Sequence, residues 1–104
     1  MTHFYQLWKR VPRSRRKELA KFIHELKKLA SANNECLVVE RLGNREEDHV
    51  YIDINDLTSE QQNALRDKVW ALGDKFGIPR HNIEFERDDD WDIPIIICFL
   101  YTDY

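Results

Sequence analysis

Residues Ile95 to Tyr101 read Ile-Ile-Ile-Cys-Phe-Leu-Tyr, an uninterrupted apolar run. At a strand period of two, Ile95, Ile97, Phe99 and Tyr101 point one way and Ile96, Cys98 and Leu100 the other. The run is strand-sized, far short of the roughly 20 residues a bilayer crossing requires, so no membrane span is expected. A strand apolar on both sides has to be covered on both sides. The helices of a two-layer α+β sheet cover only one. The second face then needs either the N-terminal aromatics or a second copy of the chain, which would make a homodimer.

The rest of the chain can supply such a core. It has 104 residues, 42% of them hydrophobic and 12% aromatic, with only three Gly and three Pro, which argues against disorder. No Gly/Ser-rich linker, repeat or low-complexity tract divides it, so residues 1–104 are read as one domain. Residues 1–12 lack the apolar core and cleavage site of a secretory signal. Two cysteines, Cys36 and Cys98, are too few for a disulfide framework. Both are expected to be small core residues of a cytoplasmic protein.

Periodicity places the elements. From Ser14 to about Ala32, Leu19, Phe22, Ile23, Leu26, Leu29 and Ala30 form one helical stripe, with Lys17, Lys21, His24 and Lys28 opposite. Ser14 is the expected N-cap. Cys36–Leu42 and His49–Ile54 read as a hairpin across the polar connection from Gly43 to Asp48. A second helix follows Leu57, capped by Thr58 or Ser59, either of which has a Gln three residues on. Its buried stripe is Leu65, Val69, Leu72 and Phe76, and Gly77-Ile78-Pro79 stops it. Ile83 and Phe85 alternate with Glu84 and Glu86 in a further strand, and Pro94 to Tyr101 is the last. Residues 3–10 fit either a helix or a strand, and are read as a strand because the later strands need a pairing partner. The order β-α-β-β-α-β-β matches, in its first six elements, a split β-α-β arrangement of the ferredoxin-like kind: an antiparallel sheet with two helices on one face.

The net charge of −3 conceals an uneven chain. Residues 1–34 hold nine Lys or Arg against two Glu, and residues 35–104 hold seven against seventeen acidic groups. This unevenness defines two candidate surfaces. The first is acidic and aromatic: Asp67, Trp70 and Asp74 on the second helix, Glu84 and Glu86 on the strand, and the loop Asp88-Asp89-Asp90-Trp91-Asp92. Asp103 is expected to extend this ridge. Trp70 lies roughly 140° from the buried stripe at 100° per residue, where a Trp among polar groups suits an interface anchor. Such a ridge matches a basic protein partner, and it would mimic nucleic acid if it occupied a phosphate-binding groove. The favoured expectation is a protein–protein interaction module. Its most pointed form is an inhibitor of a nucleic-acid-handling complex, of the sort mobile elements direct at host defences.

The second surface is basic: Arg13, Arg15, Arg16, Lys17, Lys21 and Lys28 on the first helix. Cations at a helix N-terminus oppose the dipole, so a bound anion such as nucleic-acid phosphate would relieve them. Catalytic signals are thin, and neither an enzyme nor a cofactor is expected. No phosphate-cradling Gly loop or nucleophile elbow is present, and the histidines show no metal-ligand spacing. Asp88, Asp90 and Asp92 alternate like early calcium ligands, but Ile93 and Phe99 stand where that loop needs Gly and Glu. The remaining enzymatic reading is a small metal-dependent nuclease built from Glu40, His49, Asp53 and Asp56.

Overall fold

The computed structural model of the chain describes residues 13–41 and 48–100. They form, in order, α1 (Arg13–Ala32), β1 (Val38–Arg41), β2 (His49–Asp53), α2 (Ser59–Phe76), a short 3₁₀ turn (Arg80–Asn82), β3 (Ile83–Arg87) and β4 (Pro94–Phe99). The expected first strand at residues 3–10, the connection at 43–47, Tyr101 and Asp103 lie outside the described residues.

Local chemistry accounts for the helix ends. α1 begins at Arg13, so Ser14 lies within its first turn instead of capping it. At α2 the choice between two caps falls on Thr58, whose hydroxyl accepts from Gln61 N–H at 3.2 Å while Gln61 Oε1 accepts from Thr58 N–H at 2.9 Å. At the other end Gly77 takes φ 73°, and Ile78 N–H returns to Gly73 O at 2.8 Å, a Schellman closure. Only glycine adopts that backbone cheaply.

The four strands form one antiparallel sheet in the order β1-β2-β4-β3. An antiparallel α+β sheet with two helices was expected, but a ferredoxin-like order would seat residues 3–10 beside β2. That place is filled by β4. The physical reason lies in β4 itself: four consecutive buried residues, Ile95 to Cys98, suit an inner strand better than an edge.

The two halves of the sheet are related by a pseudo-twofold axis at the Tyr51↔Ile97 pair. Val38↔Ile52 in the first hairpin has its counterpart in Ile83↔Cys98 in the second, and Arg41↔His49 in Glu86↔Ile95. Each half is an α-β-β unit.

Both helices pack on one face. Leu19, Phe22, Ile23, Leu26 and Ala30 of α1 and Leu65 and Val69 of α2 meet Val50, Ile52, Ile83, Ile96 and Cys98 of the sheet. Phe22 meets Phe76 edge-on with ring centroids 6.0 Å apart, joining the helices. Gly73 lets α2 approach β3 closely, since a Cβ there would lie 2.7 Å from Ile83 Cδ1. The opposite face is also covered: Tyr51, Ile95 and Ile97 are between 4% and 8% exposed, with Val39, Ile93 and Phe99 packed against them. The N-terminal aromatics Phe4 and Trp8, expected to contribute to that cover, lie outside the described residues.

Both cysteines are free thiols. Cys98 is buried in the core, and burial pushes its pKa up to about 12. Cys36 is half-buried; its pKa is raised by burial first, and then by the Asp53 and Asp56 carboxylates. No described helix is long and apolar enough to cross a membrane.

Candidate interaction surface

β3 is an edge strand, and of its five residues only Ile83 is buried. Trp70 stands beside it on α2, half-buried, with its indole Nε1 donating to Ile83 O at 3.0 Å. A polar donor on a helix thereby satisfies a carbonyl on the sheet edge. The Arg66 guanidinium lies over the Trp70 ring at 4.4 Å and over Phe85 at 4.7 Å, bridging helix and strand. The Arg80 guanidinium also lies over the Trp70 ring, at 5.4 Å, and pairs with Asp74 at 2.9 Å. Arg66 Nε is buried with no hydrogen-bond partner among the described residues, so the two rings take the place of a polar neighbour. Trp70 therefore fastens α2 to β3, and its indole is less available to a partner than the helical wheel suggests.

The tip of the β3–β4 hairpin is organised by its own carboxylates. Asp88 Oδ1 accepts from Asp90 N–H at 2.8 Å and Trp91 N–H at 3.2 Å. Asp92 takes φ 52°; its carboxylate accepts from Arg87 Nε at 2.9 Å and its carbonyl from Arg87 Nη2 at 2.8 Å. Asx turns and a charged pair of this kind hold a tight connection in one shape. On this hydrogen-bonded tip Trp91 is 75% exposed. Asp89 and Asp90 beside it are exposed and have no ion-pair partner among the described residues.

The acidic and aromatic residues expected from the sequence lie along α2, β3 and the hairpin tip, with Glu84 and Glu86 on the sheet face opposite the helices. They divide by role. Asp88 and Asp92 build the turn, Asp74 holds Arg80, and Trp70 rivets the edge. Asp67 stands 3.7 Å from Arg66. Glu84, Glu86, Asp89, Asp90 and Trp91 are presented to solvent. Arg66, Arg80 and the 39%-exposed Phe85 join them; strand alternation alone assigns Phe85 to the core. Arg66 precedes Trp70 by four residues on a helix, and that spacing was the available signal. The surface carries Asp67, Asp74, Glu84, Glu86, Asp88, Asp89, Asp90 and Asp92 against Arg66, Arg80 and Arg87. The imbalance disfavours phosphate and favours cations.

The basic candidate surface is altered by α2. Arg15 Nη1 donates to Phe76 O at 3.0 Å and pairs with Glu18 at 2.8 Å, and Nη2 reaches Gly77 O at 3.5 Å. Its charge answers the C-terminal dipole of a neighbouring helix. Arg13 and Arg16 share its turn of α1, while Lys17 and Lys21 are exposed and Lys28 lies 3.5 Å from Glu25. Lys28, Lys68 and Lys75 line a shallow groove between the helices.

The nuclease candidates are separated. Glu40 pairs in register with Val50 and binds Lys27 at 2.9 Å, on the helix-covered side. His49 and Asp53 sit on the other side, at opposite ends of β2, and Asp53 Oδ1 accepts from Asn55 N–H at 2.9 Å. His49 lies against the rings of Tyr51 and Phe99. Among the described residues no three His, Cys, Asp or Glu side chains are grouped to hold a metal ion. No protein-family model, curated protein or solved structure matches the chain.

Proposed function

We propose that the chain is a protein–protein interaction module whose acidic edge and hairpin tip engage a basic partner. The observation that carries this reading is Trp91, 75% exposed on a turn fixed by Asp88 and Asp92 and flanked by the solvated carboxylates of Asp89 and Asp90. An exposed indole on a disordered loop would lose both backbone and side-chain entropy on binding; on a hydrogen-bonded turn the backbone part of that cost is already met by folding. The surrounding carboxylates supply attraction to a cationic surface and speed encounter. A partner that handles nucleic acid offers such a surface, and occupying its phosphate-binding groove would make the chain an inhibitor by mimicry.

The test is titration of the chain with a short Lys-rich peptide and, separately, with labelled DNA and RNA over a salt series, read by Trp fluorescence. Saturable, salt-sensitive binding of the peptide, lost in Asp89→Asn/Asp90→Asn and in Trp91→Ala, is the expected result. Nucleic-acid binding that falls steeply with salt, with no peptide binding, would overturn the reading in favour of the basic helix.

A further inference from the structure

The parity of β3 shows which of its main-chain groups no other described residue uses. Ile83 N–H donates to Arg80 O and Ile83 O accepts from Trp70 Nε1, so both groups point away from β4. In an antiparallel ladder this direction alternates, so Glu84 and Glu86 bond to β4 while Phe85 and Arg87 turn N–H and C=O to the open edge. The register agrees at the far end: Arg87 faces Pro94, which has no N–H to give. Five consecutive pairs run from Ile83↔Cys98 to Arg87↔Pro94, so no bulge interrupts the strand. Glu84 to Arg87 are all exposed. Among the described residues nothing pairs with this edge, and β3 carries none of the Pro or bulge devices that usually block one.

Side chains restrict what can pair there. Glu84 and Glu86 stand on one face and Phe85 on the other, beside Arg66. Antiparallel pairing with a second copy about Phe85 would set Glu84 against Glu86 of the other copy, and like charges directly opposite are destabilising. A strand with Lys or Arg at alternate positions reverses that sign, and an apolar residue between them would cover Phe85. We propose that β3 accepts an extended basic segment of the partner, of alternating basic and apolar pattern, as a fifth strand. This rests on the basic-partner reading above and assigns it a recognition mode, β-augmentation.

Hydrogen exchange tests it, with a short synthetic peptide of alternating Lys and Val as probe and two controls: Glu for Lys, and the same composition in blocks. The alternating Lys peptide is expected to slow exchange at the Phe85 and Arg87 amides by about tenfold or more, leaving Glu84 and Glu86, already bonded to β4, little changed. Phe85→Pro removes an outward N–H without touching the β3–β4 ladder and is expected to weaken binding about tenfold. Phe85→Ala keeps the N–H and should retain the protection at Arg87. Peptide binding that perturbs Trp91 but leaves the Phe85 and Arg87 amides unprotected would overturn strand addition while the acidic-surface reading stands. No binding of the Lys peptide would overturn both. Equal protection by the Glu peptide would overturn the assignment of a basic segment.

Discussion

The Arg15 guanidinium donates to the carbonyl oxygen of Phe76 at 3.0 Å, tying the first turn of α1 to the last turn of α2. A cation that looks misplaced on its own helix is well placed on its neighbour's, where the carbonyls are unpaired and the dipole is negative. Gly77, whose Cβ would lie 3.1 Å from Arg15 Nη1, leaves room for this contact.

Arg15→Ala is accordingly expected to lower stability by about 1–2 kcal/mol, the scale of hydrogen bonds from a charged, half-buried donor. Urea denaturation measures it. A loss below about 0.5 kcal/mol would place Arg15 with ordinary surface ion pairs and return it to the pool of free basic groups.

Gly73→Ala should destabilise although alanine favours helix by up to about 1 kcal/mol. The new Cβ would meet Ile83 Cδ1 at 2.7 Å and Ile78 O at 3.3 Å, and Ile83 is buried with little freedom to move. Overpacking of this kind costs about 1–3 kcal/mol, so thermal unfolding should show a lower midpoint. A raised midpoint would mean that α2 and β3 separate easily.

Trp70 and Trp91 should behave oppositely. Trp70→Phe loses the bond to Ile83 O and should cost about 1 kcal/mol of stability. Trp91→Ala should leave the stability within about 0.5 kcal/mol while weakening binding of the Lys-rich peptide about tenfold. If Trp91→Ala destabilises the fold and leaves binding intact, its exposure has a structural cause and the proposed anchor is wrong.

Cys98 predicts an alkaline limit. Its folded pKa of about 12 stands above the ordinary 9.0, so the unfolded chain releases this proton first as pH rises. Stability is therefore unaffected below pH 9 and falls through the window from 9 towards 12, with a slope of up to about 1.4 kcal/mol per pH unit. Cys98→Ala should flatten that window in pH-dependent denaturation. In thiol labelling of the native protein, half-buried Cys36 should react and Cys98 should not.

Much of the secondary structure was legible. The Leu19-to-Ala30 and Leu65-to-Phe76 stripes located both helices, and Thr58, Gln61 and Gly77 marked the ends of the second, because caps and stripes are local chemistry. The acidic candidates were legible as individual charges, since charge is read directly from the sequence. Their individual roles were not. Whether an Asp builds a turn, as Asp88 does, or faces solvent, as Asp89 does, depends on backbone that neighbouring residues fix together.

The sequence by itself determined where apolar faces lie: two amphipathic helices, alternating strands, and one strand from Ile95 to Cys98 that had to be covered on both sides. Only the tertiary structure decided which strand lies beside β2. Pairing depends on long-range loop closure and competition between strands, and periodicity carries no information about partners. The same distinction hides the pseudo-twofold relation of the halves. Core positions repeat, Leu19, Ile23 and Leu26 matching the spacing of Leu65, Val69 and Leu72, while the edge-strand positions differ, with half-buried Val39 and exposed Arg41 in the places of exposed Glu84 and Glu86. Burial constrains the first set in both halves; the edge strands are less enclosed and accept half-buried Val39 in one half and exposed Glu84 in the other, and that freedom leaves the β3 edge acidic.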